Sequence, residues 1–139
     1  MTNHPAHAAS PNSPGRTLNI TLWVLQILLA ILFLVAGAVK LFGESVEVEI
    51  FDEIGLGQWF RYFTGVVELA GAIGLIIPRL AGLAALGLAG VMVGATITNL
   101  FVIDEAPGAI TTVILFGVLC FIAWARRAQL QTLASRLKR

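Results

Sequence analysis

Cysteine is almost missing: the 139-residue chain carries one, Cys120. A single thiol has no partner in the chain and no C-x-x-C motif exists, which excludes the thiol-relay chemistry of membrane enzymes that work through paired cysteines. Cys120 itself reads as a small buried hydrophobe. Histidine occurs only as His4 and His7, far from every apolar run. No axial haem ligand or imidazole base is therefore available at depth. There is no cluster with metal-ligand spacing, no serine nucleophile beside a base and no phosphate-cradling loop. Charge is scarce as well: Asp, Glu, Lys and Arg make up 12% of the chain, where soluble domains average about 25%.

What fills the space is apolar, at 58% of residues. A soluble fold this short cannot hide so much apolar surface, so lipid is the expected solvent. A bilayer core of about 30 Å needs about 20 apolar residues per helix. Runs of that length lie at about 19–42, 60–77, 80–103 and 109–125. The chain thus reads as all-α, an integral membrane four-helix bundle running up-down-up-down over residues 17–125. The first run is too long for a secretory h-region and lacks an A-x-A cleavage site, so it is expected to stay as an anchor.

The few charges are sorted. Arg16, Arg79, Arg126, Arg127, Arg136, Lys138 and Arg139 fall at one set of span ends, and Arg61 alone among arginines falls at the other. The positive-inside rule then places both termini in the cytoplasm. Glu44, Glu47, Glu49, Asp52, Glu53, Asp104 and Glu105 gather at the opposite, outer ends. Trp23 and Trp124 at inner ends and Trp59 at an outer end suit interfacial anchors.

Residues 1–16, rich in Pro, Ala, Ser and Asn, read as a disordered cytoplasmic tail, in which two histidines make a poor metal site. Pro78-Arg79 forces an antiparallel turn between spans two and three, and 104–108 makes another between three and four. The long connection, 43–59, mixes five acids with Val46, Val48, Ile50, Phe51 and Ile54. It fits a short helix on the outer surface with Glu47 spoiling its apolar face, ended by Gly55 and Gly57, and a plain acidic loop is the alternative. Residues 126–139 are basic and amphipathic through Leu130, Leu133 and Leu137, as in a helix lying along anionic headgroups. Gly90 and Gly94 form a G-x-x-x-G face, expected to pack the bundle itself; homodimerisation through it is the sharper alternative.

Polar residues within the spans collect in the outer half. Glu68 precedes nine residues without a polar side chain, Leu69 to Ile77, and a carboxylate at such depth costs roughly 2.5–3.5 kcal/mol on insertion scales. Counted at 1.5 Å per residue it lies about 10 Å below the outer surface, and Asn99 about 6 Å. Lys40 ends the first span at a matching height, with Thr64 one turn above Glu68 and Thr96 one turn below Asn99. Lys40, Glu68, Asn99, Thr96 and Thr64 are the candidate ligand-binding or buried polar group, and Lys40–Glu68 its ion pair. The bland readings stand beside it: Lys40 has the reach to snorkel to headgroups, a protonated Glu68 can bond a backbone carbonyl, and Asn99 alone suits interhelical glue. The inner half, Gln26 apart, is smooth and apolar.

The stretches FLVAGAVKLFG (33–43) and GLGQWFRYFTGVVELAGAIGLIIPRLAGLAALGLAGVMVGATITNLF (55–101) resemble the DoxX family of small bacterial four-span membrane proteins. The match runs from about Asn19 to Trp124 and rests on the order of its pieces: glycine and lysine closing span one, glutamate before glycines in span two, a proline-arginine turn and a small-residue third span. The resemblance implies a multi-pass protein of the bacterial inner membrane, associated with quinone-linked oxidoreductase or redox-defence complexes. Distant relatives act as chaperones or cargo receptors. It aligns Lys40 and Glu68 with the family's lysine and glutamate, and puts Asn99 where many members carry histidine, which removes a titrating imidazole. The expected function is a quinone-linked or redox-complex membrane subunit binding an amphipathic small molecule. A non-enzymatic chaperone or assembly factor is the alternative, so an enzymatic role stays open. The expected partners are the lipid bilayer, membrane or redox proteins and, through Gly90 and Gly94, a second copy; no nucleic acid and no metal is expected, and quinone is the cofactor that fits.

Overall fold

Long runs of Leu, Ile, Val and Ala satisfy their backbone within helices, the one open structure that needs no water for its amides. A computed structural model describes residues 15–137. The expectations for His4, His7 and the rest of 1–14, for the Leu133 side chain, and for Lys138 and Arg139 lie outside the described residues. Six helices follow in order: α1 (Arg16–Phe42), α2 (Ser45–Ile54), α3 (Gln58–Leu75), α4 (Ala81–Phe101), α5 (Ala106–Ala125) and α6 (Arg127–Leu137). There is no strand among the described residues.

Three helices are long and apolar enough to cross a membrane: α1, α4 and α5. In their most apolar windows only 33%, 33% and 28% of residues are buried inside the protein, so most of this apolar surface faces outward, where lipid would solvate it. α3 is as long as a short span, but Gln58, Arg61 and Glu68 dilute its hydropathy. Those side chains turn inward, and the surface α3 shows is Trp59, Phe63, Val66 and Ile73.

The long helices pack antiparallel, α1 along α3, α3 against α4 and α4 along α5, while α1 and α5 barely touch. Small residues set the spacing. A Cβ on Gly37 would lie 2.8 Å from the Gly65 carbonyl oxygen, one on Gly71 2.6 Å from Leu88 and one on Gly74 2.8 Å from the Ala84 Cβ. Such contacts let backbones approach in lipid, where no hydrophobic drive joins helices. The core, with Leu22, Phe33, Leu75, Leu88, Leu119 and Ile122 almost fully buried, fills the middle and the basic end. Cys120 is only partly buried against it.

The 43–59 connection contains a helix, α2. Gly43 (φ 75°) closes α1 with two bonds, its own N–H to the Lys40 carbonyl and that of Glu44 to Val39, the geometry of a Schellman cap. Gly55 (φ 84°) ends α2 with a single bond to Phe51. Phe51 is buried edge-on against Phe60 at 5.9 Å, and Gln58 Nε2 donates to the Val48 carbonyl at 3.1 Å and to Asp52 at 2.8 Å. α2 therefore lies against the acidic end of α3. At the other end α6 tucks Leu130 onto Gly82 of α4, while Leu137 is exposed.

Candidate functional site

Lys40 sits in the last turn of α1, where a cation complements the helix dipole. Helical side chains lean toward the N-terminus of their own helix, so Lys40 reaches back along α1 toward α3. The Gly37–Gly65 crossing removes the bulk between the two backbones, and Glu68 lies one turn beyond it. Lys40 Nζ stands 3.2 Å from Glu68 Oε1 and 3.4 Å from Oε2. Glu68 is only 3% exposed. At that burial a carboxylate needs its counter-charge, because desolvation otherwise costs several kcal/mol per ion, roughly. Lys40 thus turns inward to Glu68.

A third charge joins the pair. Glu47 of α2 places Oε2 3.8 Å from Lys40 Nζ. Glu47, Ile50, Phe51 and Ile54 follow the spacing of one helical face, and all four line the same cavity as Lys40 and Glu68. The residue that seemed to spoil the apolar face of α2 belongs to it and aims at the lysine. That was the available signal: a charge in phase with an apolar stripe.

The cavity measures about 490 Å³. Phe33 and Ala36 of α1, Phe63 and Val67 of α3, Val91 and Met92 of α4 and Leu115 of α5 form apolar walls, and α2 lies over the acidic end. Thr64 lines it, its hydroxyl donating 2.9 Å to the Phe60 carbonyl. Asn99 lines it from α4, with its Oδ1 packed over Gly108 of α5, and brings an uncharged amide to this end of the chamber. Thr96 is not at the wall. Its hydroxyl donates to the Met92 carbonyl at 2.8 Å and meets the Thr112 hydroxyl at 2.7 Å, pinning α4 to α5, and Thr112 is the threonine that faces the cavity. Of the five candidates, Lys40 and Glu68 are joined, Asn99 and Thr64 share their cavity, and Thr96 turns away.

Two further corrections concern packing. Gly90 and Gly94 do not pack the helices together: a Cβ on either would meet nothing within 4 Å, and both border the cavity. The close crossings fall instead at Gly37, Gly65, Gly71 and Gly74. In the basic half Gln26 is the polar exception, as expected, but Arg126 joins it there. Gln26 is fully buried, donates 2.6 Å to the Leu75 carbonyl and accepts from Arg126 Nε at 2.8 Å. Arg126 adds a 2.7 Å bond to Asn19 and lies over the Trp23 ring at 5.6 Å. Arg126, read as a headgroup cation, is a buried cross-link between α1 and the end of α5. Arg61 is likewise buried: its Nε donates to the Gln58 Oε1 at 2.7 Å, a second guanidinium nitrogen donates to the Lys40 carbonyl, and the group covers the Tyr62 ring. It gives a second donor to a carbonyl in the last turn of α1 that the Gly43 N–H already caps.

Chemically, the site offers an ammonium, two carboxylates and an amide at one end of an apolar chamber. That suits a molecule with a polar head and a greasy body. A family model described as "DoxX-like family" matches residues 24–125, most of the chain. Comparison with curated proteins and with solved structures finds no match.

Proposed function

The chain belongs to the DoxX-like family, and from that premise we propose that it is a four-span bacterial inner-membrane protein whose acidic-end cavity binds an amphipathic, quinone-like molecule as a subunit of a redox complex. α3 serves as the fourth span, because its charges are matched internally and its outward residues are apolar. Both termini lie in the cytoplasm, since Arg16, Arg79, Arg126 and Arg127 share one end of the helices. The observation that carries the binding reading is the Lys40–Glu68 pair at 3.2 Å, held where it faces an apolar chamber. A pair kept only for packing has no use for a cavity beside it, and apolar residues in its place would pack as well or better. Lys40 and Asn99 can donate to ring oxygens, Glu68 can accept from a reduced head, and electrons would come from a partner protein.

The test begins with protein purified from membranes. Extracted lipid should contain quinone, and added quinone should raise the melting temperature of wild type but not of Glu68→Gln. Absence of both copurifying quinone and any thermal shift would sink the reading.

A further inference from the structure

The cavity lining reaches the surface at Leu32 of α1 and, at more positions, along α3 and α4, and the second edge says how a ligand arrives. α3 and α4 are tight near their shared turn, where Gly71 abuts Leu88 and Gly74 abuts Ala84. Toward the acidic end both helices line the chamber, together with α1, α2 and α5. The rim on α3 is Phe63, 56% exposed although it lines the cavity. The rim on α4 is Gly90 and Gly94, which are exposed, line the cavity and have open space where a side chain would stand. Val66 and Ile73 on α3 and Val93 and Ile97 on α4 are exposed along the same two helices, a surface for lipid tails and not for water. The acidic end, by contrast, is covered by α2 through Glu47, Ile50, Phe51 and Ile54.

The polar groups narrow the head. Lys40 carries one positive charge, and Glu47 and Glu68 lie 3.8 and 3.2 Å from it, so the ionised cluster is net negative and repels a phosphate or carboxylate head. The Asn99 amide supplies uncharged hydrogen bonding.

We infer that the gap between α3 and α4 is a lateral portal, through which a neutral lipid with a carbonyl- or hydroxyl-bearing head enters from within the bilayer and leaves its tail lying between Phe63 and the Gly90–Gly94 edge. This rests on the ligand-binding reading and specifies its ligand class and route. Glycine at both rim positions keeps the doorway open, since any larger side chain projects into it.

The experiment uses the full chain in phosphatidylcholine vesicles and follows quenching of tryptophan fluorescence, Trp59 being adjacent to Phe60 of the cavity wall at 5.7 Å. The probes are a decyl-tailed ubiquinone and its tail-less parent. Gly90→Leu/Gly94→Leu should weaken the tailed quinone at least about tenfold, the effect of denying burial to two or so methylenes, and leave the tail-less one unchanged. Gly87→Leu, on open surface outside the cavity lining, should change neither, and Gly90→Ala/Gly94→Ala should fall between. Unchanged affinity for the tailed quinone in the leucine pair overturns the portal, as does equal loss of both probes. If wild type binds neither probe while remaining folded, the binding reading itself fails, and the portal with it.

Discussion

At the scale of residues, two of the buried polar sets join opposite partners, and each can be tested by breaking and mending it. Lys40→Met leaves Glu68 buried without its cation and should cost about 3–5 kcal/mol, whereas Lys40→Met with Glu68→Leu should recover much of that. Thermal unfolding in detergent measures the stability. The double variant should still lose the quinone-induced shift, which separates binding from folding. The Gln26–Arg126 link behaves alike. Gln26→Leu takes one bond from Arg126, which keeps Asn19, and leaves the Leu75 carbonyl without its donor, and a loss of about 1–3 kcal/mol is expected, partly relieved by Arg126→Met. A melting temperature unmoved by Gln26→Leu would show that Arg126 finds water or headgroups instead.

At the scale of elements, glycine placement decides which helices touch. A Cβ on Gly65 would sit 3.0 Å from the Leu41 Cγ and 3.1 Å from the Gly37 carbonyl oxygen, and the second of these is backbone, which cannot swing aside. Gly65→Val should push α1 from α3, at a cost of about 1–3 kcal/mol, and lengthen the Lys40–Glu68 contact, so both stability and quinone binding fall. Gly87→Val, in open space, should do neither; in a helix it even removes some backbone freedom. α2 depends on Gly55 at φ 84°. Gly55→Ala should cost about 1–2 kcal/mol locally and appear as faster amide hydrogen exchange across 45–54, with α4 and α5 unaffected.

At the scale of the whole molecule, the charge asymmetry becomes a statement about sides. With Cys120→Ala as background, Val46→Cys on α2 should react with a membrane-impermeant maleimide in intact cells, and Ser135→Cys on α6 only after permeabilisation. Both sites are exposed in the structure. Labelling of both from the same side would contradict four spans with cytoplasmic termini. The outward apolar surface of α1, α4 and α5 makes some membrane location unavoidable, and this experiment reads the orientation.

Much of this was legible in the chain itself, for a physical reason. The free energy of moving a side chain into lipid is local, and helix rise is constant, so apolar runs and residue counts set which segments form long apolar helices and how far along them Glu68, Asn99 and Gln26 stand. The same local logic placed a helix before Gly55 and another after the last apolar run. Rotation about each helix axis is not local. It depends on which small residues abut, so the chain could not say that Gly37 and Gly65 cross while Gly90 and Gly94 stand open. Nor could it say that Thr96 turns to Thr112, that Glu47 points at Lys40, or that Arg126 joins Gln26 a hundred positions away. Sequence determined that a carboxylate would stand within an apolar run at Glu68; only tertiary structure decided that a cavity would stand beside it, because a void is a property of how helices splay and no single residue encodes it.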